Sequence, residues 1–175
     1  MSPRSRLAVA LTALAVVAGL LWANRPDAPP LPPGAAADRV LVDKSDRTLT
    51  LLSGGRALKT YPVSLGGAPS GHKRQEGDER TPEGVYLLDS RNPNSSAHRS
   101  LHVSYPNAAD QARARARGVS PGGFIMVHGI RDGLGWLGRM HRWVGWTDGC
   151  VAVANWEMDE IWRAVPDGTP IEIRP

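Results

Sequence analysis

The chain has 175 residues, of which 22% are charged, and its formal net charge at pH 7 is +4. This length accommodates one domain and a short appendage. The excess of positive charge is too small to indicate a nucleic-acid-binding protein, and Arg113, Arg115 and Arg117 are better explained as the solvated face of a helix. Cys150 is the only cysteine, which excludes a disulfide bond within the chain.

The first 23 residues have the pattern of an export signal. Arg4 and Arg6 precede an apolar, uncharged run over residues 7–23. This run is long for the core of a signal peptide and approaches the roughly 20 residues that span a bilayer. We favour an uncleaved signal-anchor over a cleaved signal peptide, for which residues 35–37 (AAA) are a late cleavage candidate. The absence of a cysteine after the run excludes a lipoprotein anchor.

Residues 24–37 (NRPDAPPLPPGAAA) follow as a proline-rich linker. Such a composition predicts a semi-rigid and largely extended spacer. The globular domain is therefore expected to span residues 38–175. The positive charges before the apolar run place this domain in the cell envelope, outside the cytoplasmic membrane, either anchored to it or secreted.

Short segments of alternating polarity predict a mainly β domain with short helices. The predicted strands are residues 40–43, 48–52, 58–65, 84–89, 101–105, 124–127 and 171–173. A polar, glycine-rich loop over residues 66–82 is long enough to be functional or mobile. Two helices are predicted, one over 107–117 with Asn107 as its N-cap and one over 156–165 with Asn155 as its N-cap. These elements form a single domain, as a β-sandwich or a partly open barrel.

Cys150 and His128 are the candidate catalytic pair. A lone thiol in an exported protein is either a small buried hydrophobic group or a nucleophile, and an adjacent imidazole is the usual means of lowering its pKa. His128 follows an apolar strand, and the carbonyl of Gly129 would hold its imidazole in the required tautomer. The amides at Asp148, Gly149 and Cys150 are candidate donors of an oxyanion hole, with Gly149 as the principal one.

Two other interpretations of this region stay open. A metal site built from His128, His141, Asp148 and Cys150 is one, although its irregular spacing fits no zinc pattern and we predict neither a metal nor another cofactor. The tryptophans at 136, 143 and 146 either line the cleft or belong to the ordinary core.

These motifs resemble the signature of the L,D-transpeptidase catalytic (YkuD) domain. The matching residues are His128-Gly129, a variable loop, and Thr147-x-Gly149-Cys150 followed by an aliphatic residue. Residues 80–86 (RTPEGVY) are similar to the T-P-x-G segment of that family, so the resemblance spans residues 38–174. The form TDGC, together with residues 91–95 (RNPNS) and 104–107 (SYPN), is most similar to the murein transpeptidase YafK branch.

The resemblance implies an L,D-transpeptidase-like β-sandwich that acts on peptidoglycan stem peptides in the cell envelope. Cys150 would attack the carbonyl of the third residue, release the terminal D-alanine and form a thioester, with His128 as general base and acid. An acceptor amine or water would resolve the thioester, and an envelope protein is a further possible acceptor or leaving group. Trp146, Thr147 and Asp148 would contact the substrate.

The sequence departs from the family pattern at two positions. Ala152 stands where many members carry arginine, and Asp148 where many carry histidine. An unpaired carboxylate near the sulfur would raise the pKa of the thiol. We therefore expect Asp148 to point outward or to pair with Arg139 or Arg142.

Three rival functions remain at this point. One is a murein hydrolase of the L,D-carboxypeptidase or endopeptidase type, and another is a non-catalytic peptidoglycan-binding module of the same fold. The third is a sortase-type Cys–His protease, which would need a catalytic arginine near the cysteine strand.

Overall fold

Eight strands form one sheet in the computed structural model, which describes residues 2–175. The strands are β1 Arg39–Asp43, β2 Thr48–Ser53, β3 Arg56–Pro62, β4 Gly84–Ser95, β5 His98–Val103, β6 Met126–His128, β7 Val151–Ala152 and β8 Thr169–Arg174. Their order across the sheet is β3-β2-β1-β8-β4-β5-β6-β7. Only two neighbouring pairs of these strands, β1 with β8 and β6 with β7, are parallel.

The two ends of this strand order are joined, so the sheet curves strongly. Beyond β3, the backbone of Ser64 exchanges two hydrogen bonds of 2.8 Å with Ala152 in β7. Gly66 also lies beside Thr147. The predicted mainly β domain with short helices is confirmed, and its one curved sheet corresponds to the partly open barrel that was predicted as the alternative to a sandwich.

The helices are α1 Pro3–Ala23, α2 Ala108–Ala116 and α3 Asn155–Ala164, with a 3-10 segment over Gly135–Trp143. Asn107 caps α2 as predicted, because its side chain accepts a hydrogen bond from the amide of Asp110. The predicted N-cap of α3 was wrong. Ala154 occupies that position, and the carboxylate of Glu157 accepts its amide at 2.9 Å.

The apolar core lies on the concave side of the sheet and against α3. Alternate residues of the central strands are buried there, as the period of two in a strand requires. The buried side chains include Val40, Val42, Leu49, Leu51, Leu101, Val103, Val127, Val151, Met158, Ile161, Ile171 and Ile173.

Helix α1 has the length and the composition of a membrane-spanning helix. Apart from Ala23 at its end, its apolar side chains are exposed rather than packed against the domain. The structure therefore offers no protein surface that would cover this helix along its length.

The proline-rich linker is packed against the domain instead of standing free of it. The Nζ atom of Lys59 donates to the carbonyl of Pro29 at 2.8 Å. The carboxylate of Asp27 pairs with Arg139 at 2.9 Å and with Arg142 at 2.8 Å. The extended spacer predicted from the sequence is thus held along the domain surface by specific contacts.

Candidate active site

Cys150 and His128 open into the same cleft because His128 ends β6 and Cys150 directly precedes β7, the parallel neighbour of β6. Val127 pairs with Val151 across β6 and β7, and both side chains are buried in the core. Since side chains alternate along a strand, His128 and Cys150 lie on the opposite face. Both line one cleft of about 650 Å³.

Loops from several parts of the chain form the walls of this cleft. The remaining lining residues are Lys73, Glu76, Gly77, Ser96, Ala97, Gly122, Gly123, Phe124, Ile125, Arg131, Trp146, Thr147 and Asp148. The predicted functional loop over residues 66–82 supplies three of them. It is held in place by Asp78, whose carboxylate accepts the amides of Arg74 and Arg80 at 2.7 and 3.1 Å and pairs with Lys73 at 2.9 Å.

The imidazole of His128 is fixed as a neutral base. Its Nδ1 atom donates to the carbonyl of Gly129 at 2.6 Å, which leaves Nε2 unprotonated. Burial lowers the pKa of His128, and the Gly129 carbonyl opposes this only in part. The ring also meets the edge of Trp146, with 5.6 Å between the two ring centroids.

The turn after His128 depends on a residue to which the sequence analysis gave a different role. Asn155 accepts the amide of Ile130 at 2.8 Å. A Cβ atom at Gly129 would lie 2.9 Å from the Asn155 oxygen and 2.8 Å from the Cβ of His98. Glycine is therefore required for this close approach. Because Asn155 stands at the start of a helix, the sequence indicated a helix cap and gave no sign of its hydrogen bond with the Ile130 amide.

The surroundings of Cys150 disfavour the charged thiolate. Burial raises its pKa above the ordinary value and outweighs the opposing effect of the Met126 amide. The Sγ atom donates to the carbonyl of Phe124 at 3.5 Å. The lowered thiol pKa expected from the sequence is not found, because the loops around the cleft desolvate the sulfur. The resting pair is a thiol and a neutral imidazole.

Gly149 allows the two sequence motifs to meet. Its φ angle is +119°, and a Cβ atom there would lie 2.3 Å from the carbonyl oxygen of Arg80. The hydroxyl of Thr147 donates to the Cys150 carbonyl at 2.8 Å and accepts the Gly149 amide at 3.3 Å. Thr147 thus organises the turn from within, and the proposed oxyanion donor at Gly149 already has an acceptor in this structure.

Phe124 is a cleft residue that the sequence analysis treated only as part of a buried strand. It has a φ angle of +55°, and its side chain is 81% exposed. A bulky residue in this conformation is a strained feature of the kind found at functional sites. In the sequence, the preceding pair Gly122-Gly123 is the one feature that could have indicated an irregular backbone at Phe124.

Asp148 is exposed and lines the cleft beside Cys150, and it does not pair with either predicted arginine. Arg139 and Arg142 bind Asp27, and Arg142 also binds Glu157 at 2.6 Å. The negative charge of Asp148 is one of the causes that raise the pKa of the Cys150 thiol. The expected arginine partner was wrong, and the carboxylate acts on the sulfur through space.

We expect Asp148→Asn to speed alkylation of Cys150 at neutral pH. The substitution removes one cause of the raised thiol pKa, so a larger fraction of Cys150 is thiolate at any given pH. Iodoacetamide labelling across a pH series measures this, and the curve of the variant should lie on the acid side of the parent curve.

Asp167→Asn is the matched control for this substitution. Asp167 is also exposed, but it pairs with Arg91 at 2.7 Å and does not line the cleft. The Asp167→Asn substitution should leave the pH dependence of Cys150 labelling unchanged. Added salt should narrow the difference caused by Asp148→Asn, since exposed charges are screened. Coincident curves for parent and Asp148→Asn would refute an electrostatic effect on the sulfur.

The alternative metal site is not assembled. Among residues 2–175, no group of three or more His, Cys, Asp or Glu side chains is placed to hold a metal ion. His141 instead accepts a hydrogen bond from the indole of Trp146 at 3.4 Å. Burial, with smaller effects of Arg142 and His128, lowers the pKa of His141 to about 3.

The structure also shows where Ala152 and the three tryptophans of the sequence analysis lie. Ala152 is fully buried in the sheet closure and has no access to the cleft. Trp146 lines the cleft. Trp136 and Trp143 belong neither to the cleft nor to the core, because their side chains are 55% and 71% exposed.

The family model of the L,D-transpeptidase catalytic domain (YkuD) matches residues 37–173. YafK of Escherichia coli strain K12 is 27% identical over 132 residues, which cover 72% of this chain and 46% of YafK. The chain therefore spans less than half the length of this relative.

Similar folds occur among solved structures. The helical cell shape determining protein Pgp2 from Campylobacter jejuni has a TM-score of 0.60 at 26% identity, covering 77% of this chain and 46% of Pgp2. Bd1075 of Bdellovibrio bacteriovorus has a TM-score of 0.52 at 28% identity, with coverages of 77% and 46%. An L,D-transpeptidase from Xylanimonas cellulosilytica shares the fold, with a TM-score of 0.50 at 19% identity over 83% of this chain and 64% of that one.

The family match covers all but the last residue of the curved sheet, together with the cleft. It begins just before β1 and ends within β8. The chain belongs to the L,D-transpeptidase catalytic domain (YkuD) family.

Proposed function

We propose that this protein catalyses L,D-transpeptidation on peptidoglycan stem peptides in the cell envelope. One observation carries the proposal: the thiol of Cys150, directly before β7, and the carbonyl-oriented imidazole of His128, at the end of the adjacent β6, open into the same cleft. A module that only binds peptidoglycan has no use for this pair. Family membership supplies the substrate class.

In the first half-reaction, the sulfur of Cys150 attacks the carbonyl carbon of the third stem residue. The thiol proton passes to Nε2 of His128 as the carbon–sulfur bond forms, so no resting thiolate is required. The bond to the terminal D-alanine then breaks, and His128 returns the proton to the departing amine. The products are a thioester on Cys150 and free D-alanine.

Backbone amides would stabilise the negative charge on the attacked oxygen. The amide of Cys150 lies beside the sulfur, and the amide of Gly149 becomes available if its 3.3 Å bond to Thr147 gives way. An oxyanion accepts more strongly than a neutral hydroxyl, which favours this exchange in the transition state.

In the second half-reaction, an acceptor amine attacks the thioester and His128 takes its proton. A second stem peptide gives a cross-link, an envelope protein gives an attachment, and water gives net removal of D-alanine. The cleft presents charges of both signs, Lys73 and Arg131 against Glu76 and Asp148. This mixture suits a diamino acid, which carries amino and carboxyl groups.

The test is incubation of the full-length protein with purified muropeptides, followed by mass spectrometry. We expect loss of terminal D-alanine with formation of dimers. Loss of D-alanine without dimers would assign hydrolysis instead. Unchanged muropeptides that nevertheless co-sediment with the protein would assign a binding module and refute the proposed function.

A further inference from the structure

The 3-10 segment over Gly135–Trp143 is packed against the end of helix α1. The side-chain amide of Asn24 donates to the carbonyl of Trp136 at 2.9 Å. Gly138 has a φ angle of +49°, and a Cβ atom there would lie 2.2 Å from the carbonyl oxygen of Ala23. The end of α1 and this segment therefore move as one unit.

A salt bridge and a cation–π contact lock the same junction. The guanidinium of Arg139 lies 4.8 Å from the ring centroid of Trp22 and pairs with Asp27 at 2.9 Å. Arg142, at the other end of the segment, also pairs with Asp27. Both cations are thus held by Asp27, in the linker shortly after the end of α1.

Large apolar side chains around this junction are left exposed. They are Trp22, Leu134, Trp136, Trp143 and Val144, with exposed fractions of 51, 41, 55, 71 and 62%. We call this set the aromatic face. Four of these residues fall within the short stretch 134–144 and the fifth is in the last turn of α1, and such a concentration of exposed apolar side chains indicates a contact with a protein or a membrane.

The length of α1 decides between these two partners. Its 21 residues, at about 1.5 Å each, give a helix of about 32 Å, close to the roughly 30 Å of a bilayer hydrocarbon core. If α1 spans the membrane, Ala23 lies at the outer boundary of that core. Any segment in contact with Ala23 then lies among the lipid headgroups, where tryptophan is the favoured residue.

We propose that the aromatic face inserts into the lipid headgroup layer beside α1 and seats the catalytic domain on the membrane surface. This inference rests on the proposed retention of α1 as an anchor. It assigns a role to Trp136 and Trp143, which serve neither the cleft nor the core.

The single cysteine of the chain makes a direct test possible. In a Cys150→Ala background, one new cysteine at a time is labelled with the polarity-sensitive fluorophore NBD. The test sites are Trp136→Cys and Trp143→Cys. The full-length proteins are reconstituted into vesicles of phosphatidylethanolamine and phosphatidylglycerol that contain nitroxide lipids labelled near the headgroup or deep in the acyl chain.

Two control positions frame the measurement. Val85→Cys replaces a side chain of β4 that is 65% exposed and pairs across the sheet with Glu172, away from the aromatic face. Leu14→Cys lies within α1, where the side chain is also 65% exposed. Position 85 reports an aqueous surface, and position 14 reports insertion of the helix.

We expect headgroup nitroxides to quench the labels at 136 and 143 at least about twofold more than the label at 85. The label at 14 should respond to the deep nitroxide. If the label at position 143 were quenched no more than the label at position 85 while the label at position 14 was quenched, α1 would be inserted but the aromatic face would not. That result would overturn the proposed insertion of the aromatic face and leave the anchor in place. If the label at position 14 were not quenched, α1 would not be inserted in the membrane. Both the anchor and the proposed insertion of the aromatic face would then be overturned.

A second copy of the chain is the competing occupant of the face. In that case the fluorescence of the label at 143 would vary with protein density in the vesicles and not with nitroxide lipid, which would overturn the proposal. None of these readouts uses enzymatic activity. A failure of the proposed transpeptidase function would therefore leave them unchanged.

Discussion

Replacing Cys150 with alanine should abolish D-alanine release and thioester formation while leaving the fold intact. The sulfur supplies the attacking electron pair, and Cys150 is the only cysteine in the chain. In the resting structure the thiol contributes one weak hydrogen bond, to the Phe124 carbonyl at 3.5 Å. Its loss should change stability little compared with its effect on catalysis.

The measurement is intact-protein mass after incubation with a tetrapeptide stem, together with thermal unfolding. The parent should gain the mass of the acyl group, and Cys150→Ala should not. Cys150→Ser serves as the closer control, since it keeps the shape of the side chain while raising the pKa of the nucleophile. Substantial D-alanine release by the alanine variant at unchanged Tm would assign the nucleophile elsewhere.

Replacing His128 with alanine should lower kcat/KM by about a hundredfold or more, the usual effect of a positioned acid–base group. The active form of His128 is neutral, so activity is lost as pH falls through its pKa. Because burial lowers that pKa, the parent should keep its activity below the ordinary histidine value of about 6.5. The residual activity of His128→Ala should no longer fall on the acid side of its pH–rate profile.

His102→Ala is the control for this substitution. His102 is partly exposed and bonded to Asp89 at 2.6 Å, and it does not line the cleft. Its removal should leave both rate and pH profile close to those of the parent. An acid limb that persists in His128→Ala would show that another group provides the base.

The sequence allowed the local elements to be predicted where a short-range signal exists. Asn107 marked the start of α2, and alternating residues marked the central strands. The placement of β8 between β1 and β4 could not be predicted in this way. It depends on pairing between distant segments, and no local pattern encodes that choice.

The chemistry of the candidate site was less predictable than its residues. The pair Cys150 and His128 followed from residue type and motif, but the raised thiol pKa results from desolvation by loops that are distant in sequence. Asn155 was assigned to a cap that Ala154 and Glu157 provide instead. Arg139 and Arg142 were assigned to Asp148, whereas Asp27 in the linker binds both.

The packed linker limits how far the globular domain can move from the end of α1. A free, extended proline-rich chain of this length would place a tethered domain as far as about 40 Å from the end of its anchor. The contacts at Asp27 and Pro29 remove most of that freedom. With α1 as the proposed anchor, the cleft would sample a thin layer at a fixed height above the membrane, and the proposed stem-peptide substrates would have to reach it within that layer.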